Sequence, residues 1–404
     1  MAASMDQNMP GSILQNNGVI VKQIDDIKGR GVFAGKNFQE NDVLFRETPI
    51  VCAQFLWNDS YRYSACEFCM RSLETADKMA QRLSGNSSLV LPHPECCEVK
   101  QLQHTRCPQC QVAYCSSECQ DKAKNAYHEV LCMGQSPPSP KHPLTILQDA
   151  WKSMHYPPES ASITLIAKMI ASIKQSRNKD DTIAQFNQFC QVPVNSEKQL
   201  AHKLLGEKFQ GQLDILQGLL TNALFESCIE TWFTADGLRR VFALIGMNGQ
   251  GIGTSSLSVY VHNCDALNIP DDEREQLDSF IDQLYIDMEK ESGSFLNCEG
   301  SGLYSLQSCC NHSCVANAEV RFNDGNSTLT VVALRDIEEG QEICINYLDE
   351  CTRESSRHSR QKFLRENYLF ECDCDKCKDQ CDDPDETSSE EEEEDEDGME
   401  EDAS

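Results

Sequence analysis

No stretch of this sequence approaches the roughly 18 uninterrupted apolar residues that a membrane span needs, and no basic segment leads into an apolar run near residue 1. Neither secretion nor membrane insertion is predicted. No compact Lys/Arg cluster marks a nuclear import signal, and no internal repeat is visible, so nucleus and cytoplasm both stay open. The stretch Gly249-x-Gly251-x-Gly253 lacks the Lys-Ser/Thr of a phosphate loop and the strand-to-helix setting of a dinucleotide fingerprint. It is expected to be a flexible turn. No Ser-His-Asp constellation sits at a nucleophile motif, and the cysteines outside the pairs described below have no matched histidine, which leaves covalent catalysis unsupported.

Basic residues are also short. Lys and Arg number 35 against 65 Asp and Glu, a net charge of -30, and residues 382–402 hold 15 of the acids, so the remainder still carries -15. Such a field repels nucleic-acid backbones, and no direct nucleic-acid binding is expected. It attracts Lys-rich partners such as histone tails or ribosomal proteins, although many acidic surfaces only keep a protein soluble.

Cysteine, by contrast, is abundant, with 23 in 404 residues. In a long chain with CxxC-type spacings and no secretion signal, metal ligation in a reducing compartment is a better reading than a disulfide scaffold. Four close pairs stand out: Cys66-x2-Cys69, Cys107-x2-Cys110, Cys115-x3-Cys119 and His128-x3-Cys132. Eight soft ligands in pairs suit two tetrahedral zinc ions, because each pair can clamp one metal from a single turn. An interleaved arrangement fits, with Cys66, Cys69, Cys115 and Cys119 on one ion and Cys107, Cys110, His128 and Cys132 on the other. Cys96 and Cys97 are an alternative first pair, less favoured because adjacent cysteines strain to bind one tetrahedral metal. Cys372-x-Cys374-x2-Cys377 offers three more ligands, and Cys314 can supply the fourth from a distant segment. Four protein ligands and no open position make all three sites structural.

Around these pairs the pattern is mixed α+β. Val19-Ile20-Val21, Gly29 to Ala34 and Val43-Leu44-Phe45 read as short strands joined by glycine turns. Ile163, Ile166, Met169, Ile170 and Ile173 share one helix face, and helical patterning returns from Leu200 to Phe225. A second amphipathic helix is expected from Asp271 to Lys290 behind Pro270. Strand character resumes at Val320-Arg321-Phe322, Leu329 to Leu334 and Glu342 to Tyr347. The acidic end lacks the apolar residues needed to order itself.

The cysteine pairs resemble the MYND zinc finger, with 37 residues between Cys69 and Cys107 where that family has about ten. Asn311-His312-Ser313-Cys314 and Gly340-Gln341-Glu342-Ile343-Cys344-Ile345-Asn346-Tyr347 resemble the NHSC and GEE...Y motifs of the SET domain. Lys28-Gly29-Arg30-Gly31 looks like that family's first cofactor-binding turn, and Glu371 to Cys377 like its post-SET cysteines. In this order the motifs are similar to those of the SET and MYND domain-containing family, over about residues 19 to 381.

The resemblance implies a SET-domain β-fold with a knot-like core, split by a MYND zinc module and a helical insert and closed by a post-SET zinc site. The implied division is a disordered 1–18, a SET N-terminal part at 19–62, the zinc module at 63–133, a helical insert at 134–245, the SET core at 246–349, post-SET at 350–381 and an acidic tail at 382–404. It implies a protein-lysine N-methyltransferase using S-adenosyl-L-methionine on histones or other basic proteins, with the zinc module available to a partner. Lys28, Arg30, Asn248, Asn311, His312 and Tyr347 would contact the cofactor, with Phe370 against its adenine. Tyr347 would place its hydroxyl near the transferring methyl, and Tyr368 would line the lysine channel. Two departures, Ala316 where the family has Pro and the missing helical C-terminal domain, favour a competing reading as a catalytically weak, zinc-dependent interaction module.

Overall fold

The computed structural model describes residues 13–16, 18–25, 28–154, 163–194, 210–293 and 295–384. In chain order the strands are β1 (Ile13–Asn16), β2 (Val19–Asp25), β3 (Gly29–Ala34), β4 (Val43–Glu47), β5 (Val51–Gln54), β6 (Thr105–Arg106), β7 (Ala113–Tyr114), β8 (Gly249–Thr254), β9 (Cys298–Leu303), β10 (Asn311–His312), β11 (Ala318–Arg321), β12 (Leu329–Ala333) and β13 (Glu342–Ile345). They form one sheet in the order β1-β4-β12-β11, a second in the order β10-β13-β3-β2, a third in the order β5-β9-β8, and the small pair β6-β7. Segments hundreds of residues apart are thus brought side by side, with β10 parallel to β13 and β13 antiparallel to β3.

Two apolar cores meet along β5. Because side chains alternate across a strand, Val51 and Ala53 face a helical core containing Trp151, Ile166, Ile170, Leu216 and Phe242. Cys52 between them faces the sheet core of Val32, Leu44, Phe45, Val331 and Ile343. The helix Ile163–Gln175 carries its expected stripe, with Ile166, Met169, Ile170 and Ile173 fully buried. Only Lys168 breaks this face. Its ammonium reaches the Cys52 carbonyl at 3.0 Å, the Glu67 carbonyl at 2.9 Å and the Glu67 carboxylate at 2.7 Å. The helical pattern expected from Leu200 resolves as Gln210–Leu224, and its first residues lie outside the described ones.

Helix Asp271–Ser292 follows Pro270 as expected, with Asp271, Asp272 and Glu273 against the positive end of its dipole. Gly293, with φ 71°, ends it in a conformation that favours glycine. Leu277, Ile281, Leu284 and Met288 pack with Met79 and Leu83 of helix Ala76–Leu83, beside the zinc-ligand segment.

Two expectations need correction. Residues 13–16 do not share the disorder expected of 1–18; they pair with β4, whose edge offers unpaired backbone groups. Gly249–Thr254 is an edge strand, paired with β9 from Gly249↔Leu303 to Thr254↔Cys298, and not a turn. Its glycines weaken it, but a complete ladder on one side satisfies the backbone. β9 begins at Cys298, and the Phe295 ring just before it packs against Tyr61 with centroids 4.3 Å apart.

Candidate active site

The pairing of β3 with β13 places the Gly29–Ala34 strand against the Glu342–Ile345 strand, and β10 lies on the other side of β13. At this crossing a Cβ on Gly31 would come within 2.7 Å of Ile24 Cδ1 and 2.9 Å of Glu342 Oε1, so a larger residue would push those side-chain ends aside. The amide of Asn311 uses the space, donating to Glu342 Oε1 at 2.7 Å and to the Arg30 carbonyl at 3.1 Å. Glu342 lay inside the quoted motif without being singled out; its contact with Asn311 is the reason for a carboxylate at that position.

His312 is buried, and burial lowers its pKa to about 4, so the ring is neutral. Nδ1 accepts the Tyr347 backbone N–H at 3.0 Å, which assigns the ring proton to Nε2, 3.4 Å from Cys314 Sγ. The ring therefore bridges the Tyr347 backbone and a metal ligand. Tyr347 donates its hydroxyl to the Cys310 carbonyl at 2.6 Å, and burial raises its pKa well above the usual phenol value, keeping the proton in place. Tyr368 lies 4.8 Å from Tyr347 between ring centroids, and Phe370 lies 6.3 Å from Tyr347 and 6.1 Å from His312. These four rings form one wall.

The remaining expected cofactor contacts hold protein partners. Lys28 pairs with Asp373 at 3.0 Å, tying the first turn of the site to the cysteine-rich C-terminal segment. Arg30 donates to the Gln188 carbonyl and Asn248 to the Cys190 carbonyl, each at 2.8 Å. Both side chains thus hold one short segment, Gln188 to Cys190, which carries no motif that would place it here. Sequence reasoning also missed Glu47. Its buried carboxylate accepts from the backbone N–H of Leu306 at 2.9 Å and of Gln307 at 3.0 Å, and so holds the turn Gln307–Cys309 that leads into Asn311. Burial raises its pKa to about 7 against those hydrogen bonds. A lone acid ending an apolar strand, Val43-Leu44-Phe45-Arg46-Glu47, was the available signal.

Three groups of ligand atoms converge within 4.8 Å of one another: Cys66, Cys69, Cys115 and Cys119; Cys107, Cys110, His128 and Cys132; and Cys314, Cys372, Cys374 and Cys377. Cys96 and Cys97 join none of them. A zinc ion with ligands at about 2.3 Å for sulfur and 2.1 Å for nitrogen sets tetrahedron edges of about 3.8 Å (S to S) and 3.6 Å (S to N). Cys69 and Cys115 are 3.7 Å apart, Cys107 and Cys132 3.8 Å, Cys314 and Cys372 3.9 Å, and Cys110 Sγ and His128 Nε2 3.5 Å. The three sets fit three tetrahedral zinc ions. Arg360, fully buried, puts its guanidinium 3.6 Å from Cys377 Sγ, where it offsets thiolate charge at the third set.

The SET-domain family model matches residues 29–348. The class defined by this match is the SET domain, with the Asn311–His312 and Glu342–Tyr347 segments adjacent at its centre. Over 365 residues the chain is 59% identical to the protein-lysine N-trimethyltransferase SMYD5 of Gallus gallus, covering 90% of this chain and 87% of that protein. It is 57% identical over 370 residues to the SMYD5 of Homo sapiens, covering 92% and 88%. The chain belongs to the SET-domain family and, within it, to the SET and MYND domain-containing proteins. A solved SET domain, that of LSMT bound to lysine and AdoHcy, covers 89% of this chain and 54% of its own at 11% identity with a TM-score of 0.26, too slight a likeness to argue from.

Proposed function

We propose that this protein is a protein-lysine N-methyltransferase that uses S-adenosyl-L-methionine and acts on histones or other Lys-rich proteins. The observation that carries the reading is the half-buried Tyr347, whose hydroxyl is fixed on the Cys310 carbonyl within the wall of His312, Tyr368 and Phe370. When bound, the cofactor supplies an electrophilic methyl carbon that passes to the lysine nitrogen as the S–C bond breaks, leaving a neutral thioether, while the nitrogen loses a proton to water.

The donor set suits that cofactor. Lys28 and Arg30 offer cations to its carboxylate, Asn248, Asn311 and His312 surround its polar middle, and Phe370 offers a face to adenine. Arg30 and Asn248 exchange the Gln188 and Cys190 carbonyls for the cofactor on binding. Tyr347 and Tyr368 form an apolar channel that favours the neutral, nucleophilic amine, whose free pKa is about 10.4. No dedicated base is needed from the chain, whose part is alignment. Residues 63–133 are assigned as the MYND-type module and 350–381 as post-SET, the SET core threads as a knot-like crossing, and the chain's acidity draws basic substrates.

Incubation with labelled cofactor and a mixture of basic proteins tests the reading, with label transfer expected. Cofactor binding without transfer would favour the weak interaction module instead. Tyr347→Phe keeps the ring and loses the hydroxyl, so transfer should fall by roughly 100-fold or more while cofactor affinity, read by calorimetry, changes little. A fully active Tyr347→Phe protein would remove Tyr347 from the mechanism.

A further inference from the structure

The turn Gln307–Cys309 has no cap of its own. Leu306, which precedes it, has no side chain to hydrogen-bond, so the N–H groups at the start of the turn need a partner from elsewhere. Glu47 is that partner. Its carboxylate oxygens accept the Leu306 N–H at 2.9 and 3.2 Å and the Gln307 N–H at 3.0 Å. Glu47 is fully buried, and its backbone is fixed from two sides, since it stands opposite Ile13 of β1 and Leu329 of β12. A strand end in one sheet thus caps a turn that leads into the strand β10 of another.

The two residues whose N–H groups Glu47 holds are also the ones whose carbonyls close the turn. Leu306 accepts the Cys309 N–H at 3.0 Å, and Gln307 accepts the Cys310 N–H at 2.8 Å. Cys310, fully buried, then turns its own carbonyl to the Tyr347 hydroxyl at 2.6 Å. The Gln307 side chain ties the turn to β8 through Gln250 Oε1 at 3.0 Å, whereas its backbone is held by Glu47. On the far side of Cys310, the amide of Asn311 is fixed on Glu342 and the Arg30 carbonyl. The Cys310 carbonyl therefore sits between two anchors. Because the phenol gives its proton to that carbonyl, its oxygen is left to accept, in a direction that the carbonyl sets.

We propose that Glu47 is a positioning residue for methyl transfer, which fixes the Cys310 carbonyl by capping the turn and thereby fixes the direction in which Tyr347 presents its oxygen. The assignment rests on the methyltransferase reading above. Buried beneath the turn, Glu47 meets neither lysine nor cofactor and acts on the reaction only through Tyr347. Its loss is therefore felt in the alignment of the reacting atoms, where a displacement of about 1 Å can cost 100-fold in rate, and not in the holding of either ligand. An amide is a poor replacement. It has one acceptor oxygen where the carboxylate has two, and its NH2 group would face a backbone N–H.

The full-length, zinc-loaded chain carries the test, with cofactor and a lysine peptide at alkaline pH, where a carboxyl of pKa about 7 is ionised. Glu47→Gln keeps the size and exchanges one acceptor for a donor. It should lower the single-turnover transfer rate about tenfold and leave peptide KM and cofactor affinity, read by calorimetry, within about twofold of wild type. In a Tyr347→Phe chain, which has no hydroxyl left to position, the same substitution should cost no more than about twofold further. Glu47→Asp keeps the charge but withdraws it by one methylene, and should show the same rate-only loss even where Glu47→Gln does not fold. A wild-type rate in the Glu47 variants, a loss that falls on KM or cofactor affinity, or a tenfold loss repeated in full in the Tyr347→Phe chain overturns the assignment. A wild-type chain that transfers no methyl group overturns the methyltransferase reading and the assignment together.

Discussion

The ligand-bearing turns at the two ends of Cys66–Cys132 and the helical core behind them are held by different forces, while Ala76–Leu83 between those ends packs on helix Asp271–Ser292. Around the first two ligand sets the buried residues are few, Cys66, Leu73, Cys107, Tyr114, Ala123, Tyr127 and Ala171, and two of these are ligands themselves. The helical core buries Trp151, Ile166, Ile170, Leu216, Phe242 and some twenty other residues, none of them cysteine. One region folds by ligation and the other by apolar burial, and each writes itself into the sequence differently, as spacing in the first and periodicity in the second.

Chelation should separate them most sharply. Apparent zinc binding in finger peptides amounts to about 10–16 kcal/mol per ion, more than the little apolar burial around the first two ligand sets can replace. Stripping the metals should therefore abolish hydrogen-exchange protection from Cys107 to Cys132 and from Cys372 to Cys377, while Ala76–Leu83, packed on helix Asp271–Ser292, keeps its own. Protection in Ile163–Gln175 and Ala235–Asn248 should persist. Equal loss in both regions would dissolve the distinction.

Lys168 joins the two, since it rises from the helical core to the Glu67 carbonyl and carboxylate between the ligands Cys66 and Cys69. Lys168→Met should cost about 3 kcal/mol, near the low end for breaking a buried pair, because the Glu67 side chain is 26% exposed. Thermal unfolding with zinc content intact is the expected result, and an unchanged midpoint would show that the regions are coupled elsewhere.

Glu47 belongs to neither scheme and sharpens the contrast through pH. Its folded pKa of about 7 lies above the ordinary 4.5, so between those values the folded chain binds the extra proton. This stabilisation is complete below pH 4.5 and is lost as pH rises through 7, up to about 3 kcal/mol in all. Glu47→Gln should flatten that part of a denaturant-midpoint profile, while metal retention is unaffected; a slope that survives the substitution belongs to another group. The smallest effect is expected at Lys28, whose pair with Asp373 is exposed on both sides. Lys28→Ala should change stability by no more than about 1 kcal/mol. Weaker cofactor binding by calorimetry, without a shift in melting, would separate its binding role from the pair.

All three ligand sets could be read before any coordinates, because a metal clamp needs its ligands a fixed few residues apart. The stripe from Ile163 to Ile173 was legible for the same kind of reason, a period of 3.6. Lys168, Glu47 and Gln307 were not. Each is a single polar residue in or beside an apolar run, and its partner is set by tertiary packing, 116 residues away for Lys168 and Cys52 and 259 for Glu47 and Leu306. Gly249–Thr254 was misread because glycine spacing reports backbone freedom, whereas the neighbouring β9 decides whether that freedom is used.

The third ligand set also gives the protein a clock. Cys372 lies 58 residues after Cys314, and Cys377 lies 63 residues after it. At translation rates of about 5–20 residues per second, a nascent chain carries an exposed, unligated Cys314 for about 3 to 13 seconds before its last partner is made. Tyr368 and Phe370 are made in the same late interval, so the aromatic wall and its metal staple are completed together. A ribosome stalled before Cys372 would hold a chain with the Asn311–His312 strand already made and no means of closing over it.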